Sequence, residues 1–474
     1  MKKREWGMGN REWGMKRAIL LVLCVLFFSH IWADETGEAP QAASPAPTAL
    51  SAFEKQRLDT LRFGTDTEIA SLIQVIKNEK VTYMDSELID VAQKTKNKAI
   101  LSGIFSFFGE SEKSGLEERA IRVIEERDQE ANDSIMAAVN YIGSVKANAA
   151  VDALEDLIVH GDSRFLGNAF RALGRATPEE EADNVAAFLL DYYTDRSPNE
   201  ETKRDIINAL GDTGSKDGVS FLTDLINDAE EKGVLRMAAL DAISKIGDEV
   251  SLDAVIEAVS SPDPNVRSSA VAALAPFSGE ATENAILEAF RDSYYRTRIG
   301  AAQAAGKRRM ASAVPYLKYR AENDEVPTVK DEAIKALGAI NNDEAMAILD
   351  SLFSERKNSD RVRIMAADML LQNNAEVYGS RVLAEMDDAK LKNQTPLYNG
   401  FIRIMGTAKA ASMENVALRL IQGGGVIEKS LALDLILNNE FRQMADVTRS
   451  LLDEKKHSAS IARKAQSTLE KLGL

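Results

Sequence analysis

SSPDPNVRSSAVAALAPFSGEATENAILEAF, residues Ser260 to Phe290, is the clearest copy of a unit that recurs about every 33 residues. Asp263 and Pro264 suit the N-cap and the first turn of a helix. Ala270 and Leu274 then place a small and a large apolar side chain on one face of that helix. A second run with helical spacing follows before the unit ends. This stretch therefore predicts a pair of helices and no strand.

Each copy of the unit contains a short core that resembles Ala-Leu-Gly. We call the third residue of this core the index position and use it to follow the repeat along the chain. Two-helix units of this size cannot bury their apolar face alone, so they stack on their neighbours. Glycines that follow the core are expected to allow the left-handed turn that ends the helix. The sequence predicts an all-α fold, an α–α superhelix (solenoid) of about eleven two-helix repeats over residues 134–474. The index positions are Gly143, Gly174, Gly211, Ser244, Ala275, Gly306, Gly338, Leu371, Gly406, Leu437 and Glu470.

These residues carry a family resemblance. The D-P-x-V-R opening at Asp263 to Arg267, followed by A-x-x-A-L and a second amphipathic helix, resembles the HEAT-like repeats that are also found in phycobilisome lyases. KGVLRMAALDAISKIG, VPTVKDEAIKALGAINN and SDRVRIMAADMLLQNN repeat the pattern more loosely. The resemblance implies a binding scaffold, although fold by itself does not fix activity.

Residues 50–133 are predicted to be helical but less regular, as an N-terminal cap with degenerate repeats, because the end units of solenoids are atypical. Within them ILSGIFSFFGE, Ile100 to Glu110, is strongly apolar. We expect this run to be buried under the cap. Docking of a partner or a membrane is the alternative.

The N-terminus predicts export. Met15-Lys-Arg precedes the short apolar run Ala18 to Phe28, and a small residue, Ala33, lies at the expected cleavage point. Residues 1–33 are interpreted as a signal peptide, with Met15 as a candidate true start because REWGM occurs twice before it. An uncleaved anchor is the main alternative, and lipidation at Cys24 is a weaker one. Residues 34–49, rich in Pro, Ala and acid, are predicted to be a disordered linker. The expected location is periplasmic or secreted.

Charge narrows the possible partners. The chain has a net charge of −16, and removal of residues 1–33 would leave 52 basic and 72 acidic side chains, a net of −20. Such a surface disfavours nucleic acid and anionic membranes, because attraction to phosphate dominates that kind of binding. A membrane contact is expected only through an uncleaved N-terminal segment.

Two basic patterns stand out against this acidic background. Lysine or arginine recurs eight residues before the index position, and we call this series the basic ladder. We expect a structural role, in which each cation pairs with an acidic side chain or a helix C-terminus of the neighbouring repeat. The unit from Arg291 to Arg320 has eight basic residues and one acid, Asp292. Arginine and tyrosine are enriched at binding hot spots, so this unit is the predicted partner site. Its candidate residues are Arg296, Arg298, Arg308, Arg309, Arg320, Tyr294, Tyr295 and Tyr319, with Tyr192 and Tyr193 as a weaker second site.

No catalytic, metal or cofactor motif is recognised. After residue 33, His160 and His457 are the only histidines, and neither has a His or Cys neighbour at ligand spacing. Iron hydroxylases built from similar repeats use several His–Glu pairs, and this sequence has none. The predicted function is a non-enzymatic scaffold or adaptor for another protein, bound through an acidic segment, or for an anionic envelope glycan. The alternatives are a lyase- or isomerase-like enzyme and a membrane-tethered structural protein.

Overall fold

The computed structural model describes residues 51–79, 81 and 83–474. The predicted signal peptide over 1–33, the candidate start at Met15 and the linker over 34–49 lie outside the described residues. The chain divides into two compact units, Met1–Lys55 and Gln56–Leu474. Of the first unit, only residues 51–55 are described.

The described residues form 25 α-helices and no strand. In chain order the helices are α1 Ala52–Phe63, α2 Asp66–Glu79, α3 Asp85–Lys94, α4 Lys98–Glu110, α5 Glu117–Glu125, α6 Asn132–Val145, α7 Val151–His160, α8 Leu166–Ala176, α9 Ala182–Asp195, α10 Glu200–Thr213, α11 Val219–Asn227, α12 Gly233–Ile246, α13 Leu252–Ala258, α14 Pro264–Ala273, α15 Glu280–Ala289, α16 Tyr295–Lys307, α17 Val314–Asn323, α18 Pro327–Ile340, α19 Asp343–Ser354, α20 Asp360–Leu391, α21 Thr395–Met405, α22 Met413–Gly423, α23 Val426–Asn438, α24 Ala445–Ser450 and α25 Ala459–Leu472.

From α2 onward the helices alternate between two layers. Layer A contains the even-numbered helices α2 to α18, the first part of α20, and then α21, α23 and α25. Layer B contains the odd-numbered helices α3 to α19, the second part of α20, α22 and α24. Each layer A helix packs on the layer A helix of the next repeat. This is the nearest-neighbour packing of a solenoid, and it confirms the predicted fold class.

The index position lies inside a layer A helix or within two residues of its end, and its glycines allow close approach of the next repeat. A Cβ atom on Gly211 would lie 2.6 Å from Cα of Ala242, and one on Gly174 would lie 2.8 Å from Cα of Ala209. Real Cβ atoms do not come that close to backbone, so at these positions only hydrogen fits between the helices. The glycine requirement here is therefore steric.

The left-handed turn comes three residues after the index position. The residue there has φ between 50° and 72° in seven repeats. Glycine adopts this conformation without the steric cost that other residues carry. Glycine nevertheless occupies only some of these sites, so the turn tolerates other residues. The seven are Lys146, Gly214, Gly247, Arg309, Asn341, Glu440 and Gly473.

The clearest sequence copy folds as expected. α14 begins at Pro264, and the side chain of Asp263 accepts a hydrogen bond from the backbone N–H of Asn265 at 2.8 Å. One repeat departs from the pattern, because α20 continues from layer A into layer B with only a kink at Asn374, where φ is −154°.

The apolar run of α4 is core, as expected. Ile104, Phe105, Phe107 and Phe108 are all buried, and Phe105 packs against Tyr141 of the next layer A helix, with ring centroids 5.6 Å apart. Within the described residues, no helix combines the length and apolar character needed to cross a membrane.

Candidate functional site

The predicted partner site lies in the repeat made of α16 and α17. α16 has 13 residues, which corresponds to a length of about 20 Å. Tyr294, Tyr295 and Arg296 lie at its N-terminal end, whereas Arg308 and Arg309 follow its C-terminal end, at the turn into α17. Arg298 lies in the first turn of α16, and Tyr319 and Arg320 lie in α17, so the structure distributes the eight candidate residues over both ends of α16 and over α17.

The basic ladder has the structural role that the sequence predicted. At five of its positions, the side chain donates to backbone carbonyls at or just after the C-terminal end of the preceding layer B helix. Arg236 Nε donates to Ile226 O at 3.0 Å, for example, and Lys330 Nζ donates to Glu322 O at 2.9 Å. Cations are stabilised there, because the last carbonyls of a helix carry partial negative charge. The five residues are Arg236, Arg267, Arg298, Lys330 and Arg363.

Arg298, a predicted partner-binding residue, belongs to this ladder. Its guanidinium donates two hydrogen bonds of 2.8 Å to the carboxylate of Asp324, which lies between α17 and α18 at the boundary with the next repeat. The side chain of Asp324 is fully buried, and that of Arg298 is 11% exposed. A third nitrogen donates to the carbonyl of Asp292 at 2.9 Å. Arg298 is therefore occupied within the fold and offers little surface to a partner.

The same arrangement is repeated one unit earlier, between Arg267 and Asp292. Nε of Arg267 lies 2.8 Å from the Asp292 carboxylate. Burial opposes ionisation of Asp292 and Asp324, but in each case the arginine and a backbone N–H outweigh it and hold the pKa below its ordinary value. Charge-assisted pairs with backbone donors favour the ionised form in this way. These two carboxylates lock consecutive repeats together.

Three arginines of the repeat stack on tyrosine rings. Arg320 lies 5.3 Å from the ring centroid of Tyr319, which is 58% exposed. Cations over aromatic faces attract the ring electrostatically. We define the Arg–Tyr surface as the three stacked pairs, Arg291 with Tyr316, Arg296 with Tyr295, and Arg320 with Tyr319.

Ion pairs neutralise part of this surface. Arg291 pairs with Glu288 at 2.7 Å and Arg320 with Asp324 at 3.3 Å. Arg296 has no acidic partner among the described residues, and its Nε donates to Tyr295 Oη at 3.2 Å. Tyr294 points its hydroxyl to Asn265 at 3.0 Å. The tyrosines are thus held by their neighbours while part of their rings stays accessible.

The other end of α16 differs. Lys307, Arg308 and Arg309 are consecutive, and no described carboxylate lies within ion-pair distance of any of them. We refer to these three residues as the turn cluster. Lys307 and Arg309 are exposed, whereas Arg308 is half-buried.

The charge of α17 differs from that of the layer B helices in the preceding repeats. The layer B helices α7, α9, α11, α13 and α15 contain no lysine or arginine. α17 interrupts this acidic series with Lys318 and Arg320. The basic repeat is therefore a local reversal of charge in its own layer.

The weaker second candidate is mainly a packing feature. Tyr192 contacts Phe170 with ring centroids 5.2 Å apart, and Tyr193 contacts Phe221 at 4.8 Å. Both tyrosines are half-buried. Burial raises the pKa of Tyr193, and nearby Glu231 adds to the effect.

The structure makes important three residues that were not among the candidate site residues, although the sequence placed Lys307 and Tyr316 in the basic unit. Lys307 completes the turn cluster, Tyr316 receives Arg291, and Asp324 removes Arg298 and Arg320 from the pool of free cations. Charge counting over a window cannot identify such pairs, because Asp324 lies just outside the window and one repeat boundary away.

Comparison with known families decides the identity of the fold. The family described as spirochaete HEAT repeat protein matches residues 61–468. The chain belongs to this family. The match begins within α1 and continues into α25, so it covers the N-terminal helices as well as the regular repeats of this HEAT repeat protein.

Individual relatives are more distant. The chain is 27% identical over 159 residues to a deoxyhypusine hydroxylase of Kluyveromyces lactis, a match covering 31% of this chain and 48% of that protein. The crystal structure of Kap121p is similar with a TM-score of 0.41 and 11% identity, covering 88% of this chain and 53% of that one. A structure of Kap121p bound to Nup53p gives 0.40 and 12%, with coverage of 88% and 52%. The chain matches about half the length of these relatives.

The two described histidines of this HEAT repeat protein have local partners. His160 Nδ1 lies 3.0 Å from Asp156, and His457 Nδ1 lies 3.3 Å from Lys429 Nζ. Within the described part of the chain, no group of three or more His, Cys, Asp or Glu residues is arranged to hold a metal ion.

Proposed function

We propose that this HEAT repeat protein is an exported, non-enzymatic scaffold of the bacterial cell envelope that binds another protein through the Arg–Tyr surface. The observation that carries the proposal is the presence of three stacked arginine–tyrosine pairs in one repeat. Arginine and tyrosine dominate binding hot spots, because they give a large contact area and lose little conformational entropy. The HEAT repeat fold supports a binding role in general.

The chemistry of the surface favours a partner segment that is acidic and partly apolar. Carboxylates of such a segment would pair with Arg296, which lacks an acid of its own, while the ring of Tyr319 would supply apolar contact. An anionic envelope glycan is the other ligand that suits these donors. The net charge of −16 disfavours nucleic acid, and we propose no cofactor.

Site-specific photocrosslinking tests the proposal. A benzoylphenylalanine replaces Tyr319 in the protein expressed in its native cell, and a matched probe replaces Val250, which is 82% exposed in another repeat. We expect one protein to be crosslinked from position 319 and not from 250. An additional Arg296→Glu change should reduce that product at least fivefold, because it reverses the unpaired charge. Equal crosslinking from both positions would refute the Arg–Tyr surface as the site.

Export is tested separately by cell fractionation and by the intact mass of the mature protein. We expect an extracytoplasmic protein that begins at Asp34. A mass that retains residues 18–33 would instead support the membrane-tethered alternative.

The partial similarity to deoxyhypusine hydroxylase keeps one enzymatic alternative open, beside a lyase or isomerase. Purified protein loaded with Fe(II) should show no stoichiometric metal binding by calorimetry if the scaffold proposal is correct. Binding of one or two equivalents with micromolar affinity would favour a metalloenzyme.

A further inference from the structure

The turn cluster carries three adjacent positive charges that the fold leaves uncompensated. Ladder arginines elsewhere in the repeats end on carboxylates or helix carbonyls, as Arg267 does with Asp292. The side chains of Lys307, Arg308 and Arg309 make no ion pair or hydrogen bond with any described residue. Adjacent like charges repel one another, so their accumulation here is unfavourable for the folded chain alone.

Arg308 adds a second anomaly. Its Nε atom is buried without a hydrogen-bond partner. A buried donor with no acceptor loses its hydration without replacement, so such atoms are uncommon in folded proteins. In the repeats on either side, the equivalent positions are Phe277 and Ile340, which are both buried. An apolar side chain would therefore fit this position, and the arginine needs another explanation.

The local backbone does not provide the missing acceptor. The carbonyls of Ala304 and Ala305 already accept backbone N–H groups, from Arg308 N at 3.0 Å and from Met310 N at 2.9 Å. The C-terminal end of α16 attracts a cation, which accounts for a favourable location of Lys307. It leaves Nε of Arg308 without an acceptor.

We propose that the turn cluster binds the carboxylates of an acidic peptide segment supplied by another molecule. Carboxylate is the acceptor that this protein itself uses for comparable arginines. Nε of Arg298 donates to Asp324 at 2.8 Å and Nε of Arg361 donates to Asp331 at 2.9 Å. A carboxylate matches the planar guanidinium with two parallel hydrogen bonds. Because the fold covers Nε of Arg308, the carboxylates of a peptide would bind the accessible part of this half-buried guanidinium together with the exposed Lys307 and Arg309. The site is distinct from the Arg–Tyr surface, and its relevance to a protein partner rests on the proposed scaffold function.

Binding of a fluorescein-labelled deca-glutamate peptide to the full chain, followed by anisotropy, tests this site. The informative variant is Arg308→Met, which keeps the apolar stem and removes the unpaired Nε. We expect at least tenfold weaker binding, and a melting temperature equal to or above that of the unchanged protein. The matched control is Lys318→Gln, which removes one unpaired charge from the same repeat and should change the affinity less than twofold.

Three outcomes would overturn the proposal. Equal affinity of Arg308→Met and the unchanged protein would show that the peptide binds elsewhere. An equal loss in Lys318→Gln would reduce the effect to net charge. A clear fall in the melting temperature of Arg308→Met, with peptide binding retained when measured below that temperature, would show that Arg308 is structural.

A competition arm distinguishes carboxylate from other oxyanions. Inorganic phosphate and a deca-glutamine peptide are titrated against the labelled peptide at constant ionic strength. We expect unlabelled deca-glutamate to displace the probe at concentrations at least tenfold below those needed for phosphate, and deca-glutamine not to displace it. Displacement by phosphate at lower concentration would replace the carboxylate assignment.

The two sites fail independently. Arg308→Met should leave the photocrosslink from position 319 in place, whereas Arg296→Glu should leave deca-glutamate binding within twofold. Equal crosslinking from positions 319 and 250, with deca-glutamate binding still dependent on Arg308, would refute the proposed function alone. Equal deca-glutamate affinity of Arg308→Met and the unchanged protein, with the crosslink from position 319 retained, would refute the turn cluster alone.

Discussion

The two ends of α16 carry similar positive charge, but the fold compensates this charge at one end and leaves it uncompensated at the other. At the N-terminal end, Arg298 forms a buried ion pair with Asp324, and Arg296 lies over the ring of Tyr295. At the C-terminal end, Lys307, Arg308 and Arg309 meet no described acid. The comparison teaches that the net charge of a repeat does not locate a binding site. What locates it is the charge that remains after the fold has satisfied its own carboxylates and carbonyls.

The largest expected loss of stability comes from removing the arginine of the buried ion pair at the N-terminal end of α16. Arg298→Ala would leave the fully buried carboxylate of Asp324 with the longer contact to Arg320 and the backbone N–H of Val326. Removal of one member of a buried pair leaves an uncompensated charge, and we expect a loss of about 3 kcal/mol in the free energy of unfolding. Urea denaturation measures it. The matched control is Arg296→Ala, which should leave the midpoint of urea unfolding nearly unchanged because its side chain is exposed and makes no ion pair with a described residue.

The next largest effect concerns two glycines at the end of α10, one that is needed for packing and one that is needed for the left-handed turn. Gly211→Ala places a Cβ 2.6 Å from backbone of the next repeat, and we expect a loss of about 2 kcal/mol from overpacking. Gly214→Ala adds a Cβ with nothing within 4 Å, but at a φ of +72°. That change should cost about 1 kcal/mol through backbone strain alone. Thermal and urea unfolding of both variants tests the order, and a larger loss at Gly214 would contradict it.

The compensated pairs also predict an acid sensitivity. The pKa of Asp292 is held below its ordinary value of about 3.9. Its contribution to stability is therefore fully present above that pH, and it is lost as the pH falls through the lower pKa of the folded state. Asp292→Asn should be less stable than the unchanged protein at pH 7, and the difference should shrink below about pH 4. A difference that is constant between pH 7 and pH 3 would contradict the ion pair.

The smallest effect is expected at the uncompensated end. Arg309 has a φ of +52°, at a position where three other repeats have glycine. Arg309→Gly should therefore stabilise the protein by up to about 1 kcal/mol, because it relieves the left-handed strain and removes one repelling charge. Differential scanning calorimetry would detect the rise in melting temperature. A fall would mean that Arg309 makes a stabilising contact in the folded state.

Local patterns in the sequence predicted much of the fold. The index position identified the layer A helices from α6 to α25, and the D-P pair placed the start of α14, because caps and helical periodicity are local properties. The kink of α20 was not predicted, since the helical pattern runs through Asn374 without a turn signal. Glycines after the core were expected at the left-handed turn, and Gly214, Gly247 and Gly473 lie there, whereas the steric role of the index glycines was not predicted.

The candidate site was only partly predictable. The sequence identified a basic, tyrosine-bearing repeat and anticipated that ladder cations would be structural. It still counted Arg298 as a binding residue, because its partner Asp324 belongs to the next repeat boundary. It also placed Arg308 and Arg309 with Tyr294 and Tyr295, although the length of α16, about 20 Å, separates the two groups.

By itself the sequence determined the all-α class, the repeat length and the unusual charge of residues 291–320, because each of these follows from composition and local spacing. The tertiary structure alone decided which cations are paired, which tyrosines carry a stacked arginine, and where a buried nitrogen lacks an acceptor. These properties depend on side chains that meet across repeat boundaries, about 25 to 30 residues apart in the chain. Their physical basis is the stacking of neighbouring units, which brings such distant residues within hydrogen-bond distance.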